Sequence, residues 1–109
     1  MNININIGTD LVYIPKFKNL DRAALEKIFN IDELEDSQIE HLAGIFAAKE
    51  AFFKALGKKT DWLDVLITKN IDGQPKLVYQ PLANNLLISV SISHDGDYAL
   101  AAVIIIKDN

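Results

Sequence analysis

Three ionisable side chains, Lys49, Glu50 and Lys54, fall close together in the segment Phe46-Ala47-Ala48-Lys49-Glu50-Ala51-Phe52-Phe53-Lys54-Ala55-Leu56-Gly57. Wound at about 100° per residue, Leu42, Ile45, Phe46, Phe52, Phe53 and Leu56 form one apolar stripe, and Lys49 projects from its middle. Glu50 and Lys54 stack at i, i+4 on a neighbouring face otherwise built from Ala43, Ala47 and Ala51, small enough for another molecule to approach the backbone. A carboxylate beside an amine on such a face can hold a hard cation and an anionic group. Asp10, following Gly8-Thr9, and the segment Ser91-Ile92-Ser93-His94 complete the inventory. Magnesium suits it, because that ion takes few protein carboxylates and fills its shell with water and phosphate oxygens. A lysine nearby would neutralise charge growing on a phosphate in phosphoryl-type transfer.

Other chemistries lack their residues. No glycine-rich phosphate loop, dinucleotide fingerprint or His-Glu zinc helix occurs, and two histidines cannot build a three-histidine metal site. Ser93 and His94 are adjacent, so on a strand they point to opposite faces and make a poor nucleophilic pair. Plainer roles stay open for each candidate. Asp10 can be a turn former, Glu50 and Lys54 an exposed pair worth about 0.2–0.5 kcal/mol, Lys49 a lysine that snorkels to water, and His94 a surface imidazole.

These side chains need a scaffold, and 109 residues are enough for one domain with one core. The expected fold class is α+β, a mostly antiparallel sheet packed on helices. Ile3, Ile5 and Ile7 alternate with asparagines as in a half-buried strand that continues through Thr9 and Leu11, which turns Asp10 and Gly8 to the opposite side. Pro15 closes that strand, and 21–29 reads as a short helix. Ser37-Gln38-Ile39-Glu40 is a capping box for a long helix that stops at Gly57. Residues 63–69 and 76–79 form a hairpin around Asp72-Gly73-Gln74-Pro75, and 87–94 pairs with 98–107 around Asp95-Gly96-Asp97. The last strands are apolar on both faces, more than one helical layer requires, so a homo-oligomer is expected to cover the second face.

The net charge of −4 argues against broad nucleic-acid binding, no apolar run approaches membrane-spanning length, and the N-terminal residues do not resemble a signal peptide. The absence of cysteine permits a reducing compartment, and a cytoplasmic location is expected. Lys16, Lys18, Arg22 and Lys27 outnumber the acids around them, either as a solvated basic face or as a small dock for an acidic partner.

Three segments in register carry a resemblance. Gly8-Thr9-Asp10-Leu11-Val12, the helix from Phe46-Ala47-Ala48-Lys49-Glu50-Ala51 through Lys54-Ala55-Leu56-Gly57, and Ser91-Ile92-Ser93-His94 with Asp97-Tyr98-Ala99 resemble the holo-acyl-carrier-protein synthase family, the small single-domain phosphopantetheinyl transferases. The resemblance spans nearly the whole chain and implies a homotrimer with active sites at subunit interfaces. It implies transfer of the phosphopantetheine arm of coenzyme A to a serine of apo acyl carrier protein, with release of adenosine 3′,5′-bisphosphate. Asp10 and Glu50 match the magnesium ligands and Lys54 the pyrophosphate contact. Lys49 matches a residue expected to help hold the coenzyme, and Ser93, His94 and Asp95 match the nucleotide end of a neighbour's site. Lys16, Lys18 and Arg22 would steer the acidic carrier.

The chain departs from the family pattern at four places. Tyr13 stands for a glutamate, Lys16 for an arginine, Ile45 for an arginine that contacts the nucleotide phosphate, and Lys58-Lys59-Thr60 replaces a glycine-threonine-glycine loop. Lys58 and its neighbour can supply the missing cation from another direction. Weaker or rearranged coenzyme binding is therefore expected. Two rivals remain at this point: a non-catalytic module that binds coenzyme A or carrier protein, and a purely structural oligomer with solvated helix charges.

Overall fold

The computed structural model describes residues 2–35, 38–81 and 86–108. Strand β1 (Ile3–Tyr13) runs into a 3-10 turn (Ile14–Asn19), followed by the short helices α1 (Arg22–Ile28) and α2 (Ile31–Leu34). Helix α3 (Ile39–Leu56) crosses the molecule, and a 3-10 turn (Trp62–Asp64) leads to β2 (Val65–Lys69), β3 (Pro75–Tyr79), β4 (Leu86–Asp95) and β5 (Tyr98–Asp108). A three-stranded sheet has the order β1-β5-β4, and β2 pairs with β3 apart from it; both sheets are antiparallel. The α+β expectation holds. No helix among the described residues is long and apolar enough to cross a membrane.

Local chemistry explains the boundaries. Asp21 caps α1, its Oδ1 accepting from Ala24 N at 2.8 Å. α3 ends at Gly57, whose φ of 86° is the left-handed stop that a glycine adopts without strain. Gly96, at φ 58°, supplies the first position of the two-residue link between β4 and β5. The expected capping box at Ser37 falls outside the described residues; Gln38 is the N-cap of α3, with no side-chain cap bond. A capping box forms instead at α2, where Glu33 Oε1 accepts from Asn30 N at 2.8 Å.

Helix α3 is buried on almost every side. Phe52, Phe53 and Ile45 pack among the aromatic and aliphatic residues of β2, β3 and the turns, while Ala43, Ala47, Ala51 and Ala55 face the three-stranded sheet. The alanine face therefore admits no foreign molecule, contrary to the sequence expectation: strand β1 occupies it. A Cβ built on Gly8 would overlap the Ala51 carbonyl oxygen and lie 2.7 Å from Ala55 N. Only glycine permits that approach.

The alternation in β1 is present, but the isoleucines face away from the helix. Gly8 and Val12 are buried, whereas Ile5 is 67% and Leu11 64% exposed. With Ile3, Ile7, Tyr13, Leu87, Tyr98, Leu100 and Ile104 they form an uncovered apolar sheet face. Gly8→Ala is expected to lower unfolding free energy by at least about 1–3 kcal/mol in urea titrations, because two backbones must separate to admit one methyl group.

Candidate active site

The contact of Gly8 with α3 sets the next helix-facing residue, Asp10, beside the C-terminal half of that helix. Lys54 donates to Asp10 Oδ1 at 3.2 Å and to the Thr9 carbonyl at 2.9 Å. Glu50 lies one helical turn before Lys54 on the same face, and Lys59 Nζ stands 4.0 Å from its Oε1. The carboxyl side chains of Asp10 and Glu50 are 17% and 27% exposed, so both keep access to solvent.

This donor set suits a hard cation. Asp10 on β1 and Glu50 on α3 each stand beside a lysine that solvent can reach, and Lys54, the partner of Asp10, is one helical turn from Glu50. Among the described residues no group of three or more His, Cys, Asp or Glu side chains could enclose a metal. An ion here must complete its shell with water or substrate oxygens, which is the habit of magnesium.

Lys49 requires a correction. It was expected to help hold the coenzyme, but it is 0% exposed and its Nζ is committed to Glu33 Oε1 at 2.8 Å, Ile28 O at 2.8 Å and Trp62 O at 3.2 Å. Burial lowers its pKa below the usual lysine value, while the hydrogen bond and charge of Glu33 act in the opposite sense. Glu33 is saturated in turn, since its Oε2 accepts from Ile67 N at 2.8 Å. This buried pair fastens the end of α1, the start of α2, the Trp62 turn and β2 to α3. The one local signal for Glu33 in the sequence is the capping-box spacing of Asn30-Ile31-Asp32-Glu33.

The remaining candidates are dispersed. His94 shares the helix-facing side of the sheet with Asp10, but lies on β4, across β5. Ile92, its neighbour on that face, packs at Gly44 in the N-terminal half of α3. His94 lines a cleft of about 790 Å³ with His41, Gly44, Ile45 and Lys69. Ser93 and Asp95 are exposed, and like His94 they lie on β4, separated from the Asp10 strand by β5. Lys58 lines another pocket, of about 420 Å³, with Asn4, Asn6 and Lys107. Lys16 lies over the rings of Phe46 (5.0 Å) and Phe17 (5.7 Å), Lys18 is exposed, and Arg22 pairs with Glu26 at 3.2 Å on the surface.

The chain as a whole is similar to known proteins. The profile of the 4′-phosphopantetheinyl transferase superfamily matches residues 6–103. A holo-[acyl-carrier-protein] synthase of Ehrlichia chaffeensis is 35% identical over 117 residues, covering 93% of this chain and 95% of the relative. The crystal structure of a Helicobacter pylori holo-[acyl-carrier-protein] synthase with coenzyme A superposes with a TM-score of 0.79 at 32% identity, over 91% of this chain and 98% of that one. A Bacillus anthracis holo-(acyl-carrier-protein) synthase in complex with CoA (3′,5′-ADP) gives a TM-score of 0.86 at 25% identity, over 98% and 100%.

The buried pair makes its own prediction. Lys49→Met should cost about 3–5 kcal/mol of unfolding free energy, because it leaves the Glu33 charge buried and unpaired. In a Glu33→Gln background the same change should cost at least about 1 kcal/mol less, a coupling that urea unfolding followed by Trp62 fluorescence would measure.

Proposed function

The chain belongs to the 4′-phosphopantetheinyl transferase superfamily, and from that premise we infer that it is a holo-[acyl-carrier-protein] synthase with Asp10, Glu50 and Lys54 as its catalytic centre. It transfers the 4′-phosphopantetheine group of coenzyme A to a serine of apo acyl carrier protein and releases adenosine 3′,5′-bisphosphate. The observation that carries the site assignment is the meeting of Asp10 with Lys54, one turn from Glu50.

Asp10 and Glu50 would hold magnesium, which when bound supplies Lewis-acid stabilisation of the diphosphate charge. The rest of the chemistry belongs to side chains of the protein and its partner. The carrier serine oxygen forms a bond to the β-phosphorus as the bond from that phosphorus to the bridging oxygen breaks. Glu50, or a water it orients, accepts the serine proton. Lys54, released from Asp10, turns its ammonium to a non-bridging oxygen and offsets the charge that develops there. Lys16, Lys18 and Arg22, all exposed near the exit of β1, steer the acidic carrier by unlike charge.

The subunits assemble as a homotrimer through the apolar sheet face of β1, β5 and β4. A row of exposed Ile, Leu and Tyr side chains is a liability on a monomer, and copies of the same face satisfy it. In the trimer Ser93, His94 and Asp95 of one subunit approach the nucleotide end of coenzyme held by the next, and Lys58 reaches the coenzyme from the loop after α3. The whole chain works as one domain, in the cytoplasm.

Mass spectrometry of apo carrier protein incubated with coenzyme A and magnesium should show a phosphopantetheine adduct. Asp10→Ala or Glu50→Ala should reduce its rate at least about 100-fold, and chelation of the metal should do the same. An undiminished adduct in either variant would remove the site assignment. Leu11→Lys, which puts a charge into the apolar face, should lower the sedimenting mass from three chains to one.

A further inference from the structure

The loop that follows helix α3 is cationic, with Lys58 and Lys59 in succession after Gly57. Within that loop Lys59 is the residue the structure aims at the candidate active site. Its Nζ stands 4.0 Å from Glu50 Oε1 and 4.7 Å from the centre of the Trp62 ring. That ring is a fixed platform: it stacks on Phe46 at 5.1 Å and 20°, meets the edge of Phe53 at 5.0 Å, and its carbonyl oxygen is held by buried Lys49. The Lys59 side chain is nonetheless 62% exposed, so its ammonium lies over a packed indole face and still meets solvent.

We propose that Lys59 is a second phosphate ligand for the donor, resting on Glu50 in the free protein and turning to the coenzyme diphosphate when a cation takes that carboxylate. The proposal presupposes that Glu50 holds the cation. An exposed lysine at this distance is bound to its carboxylate only weakly and is easily displaced. Once displaced it remains over Trp62, a single positive charge at the mouth of a site that must receive a diphosphate. Lys54 makes the corresponding exchange from Asp10, so each carboxylate has its own stand-in cation.

Lys59→Met removes a competitor of the metal and a ligand of the donor, so its two effects have opposite signs. Manganese alone, titrated by the electron paramagnetic resonance of the free ion at low ionic strength, should bind about 2- to 5-fold tighter. Coenzyme A, titrated calorimetrically with magnesium present, should bind about 3- to 10-fold weaker. Lys59→Arg should keep both near the wild-type values, and Lys27→Met, the same charge change on α1, should alter neither. A variant that had lost its fold would weaken both ligands together, so opposite shifts cannot arise from damage. Unchanged or weaker manganese binding, or unchanged coenzyme binding, overturns the proposal while leaving the Asp10 and Glu50 assignment standing. A wild-type protein that binds neither ligand overturns both.

Discussion

The close approach of β1 to α3 at Gly8 is the constraint on which the candidate site depends. A strand backbone lies directly on a helix backbone there, in a place where one added methyl group would overlap a carbonyl oxygen. This explains why α3 presents alanines to the sheet, why β1 carries a glycine between Ile7 and Thr9, and how an aspartate from the first strand reaches a lysine in mid-chain. Larger residues at either surface would move Asp10 away from Lys54. The same packing consumes one face of the sheet and leaves the other, rich in isoleucine, exposed among the described residues.

Three lysines stand against three carboxylates around α3, and they do so in two different ways. Lys54 and Lys59 pair with Asp10 and Glu50 where solvent can enter, so those bonds are weak and exchangeable. Lys49, next to Glu50 in sequence, is rotated about 100° around the helix and is sealed against Glu33 with its three donors used. One lysine is sealed into the support, and the other two remain more than half exposed to solvent. Trp62 connects the two sets, since its carbonyl holds Lys49 while its ring carries Lys59.

Much of this was legible in the sequence because it depends on local rules. Helix α3 and its stop at Gly57, the two hairpins with their Asp-Gly turns, and the opposite facing of Gly8 and Asp10 to the isoleucines all follow from periodicity and turn chemistry. The direction in which the isoleucines point was not legible, since alternation says that two faces differ and not which one meets the helix. The role of Lys49 was hidden for a related reason. A lysine inside an apolar stripe signals something unusual, but its partner Glu33 lies 16 residues earlier, and Ile67, which completes the node, lies 34 residues beyond Glu33. The separation of His94 from the carboxylates likewise depends on strand order, which no spacing encodes.

The central claim is that a first-strand carboxylate and a helix carboxylate share one divalent ion. Anomalous diffraction from crystals grown with manganese and coenzyme A tests it most directly. One strong peak is predicted within about 2.0–2.3 Å of an oxygen from Asp10 and an oxygen from Glu50, with diphosphate oxygens and water completing the shell. A peak coordinated by neither carboxylate, with the coenzyme in place, would contradict the account.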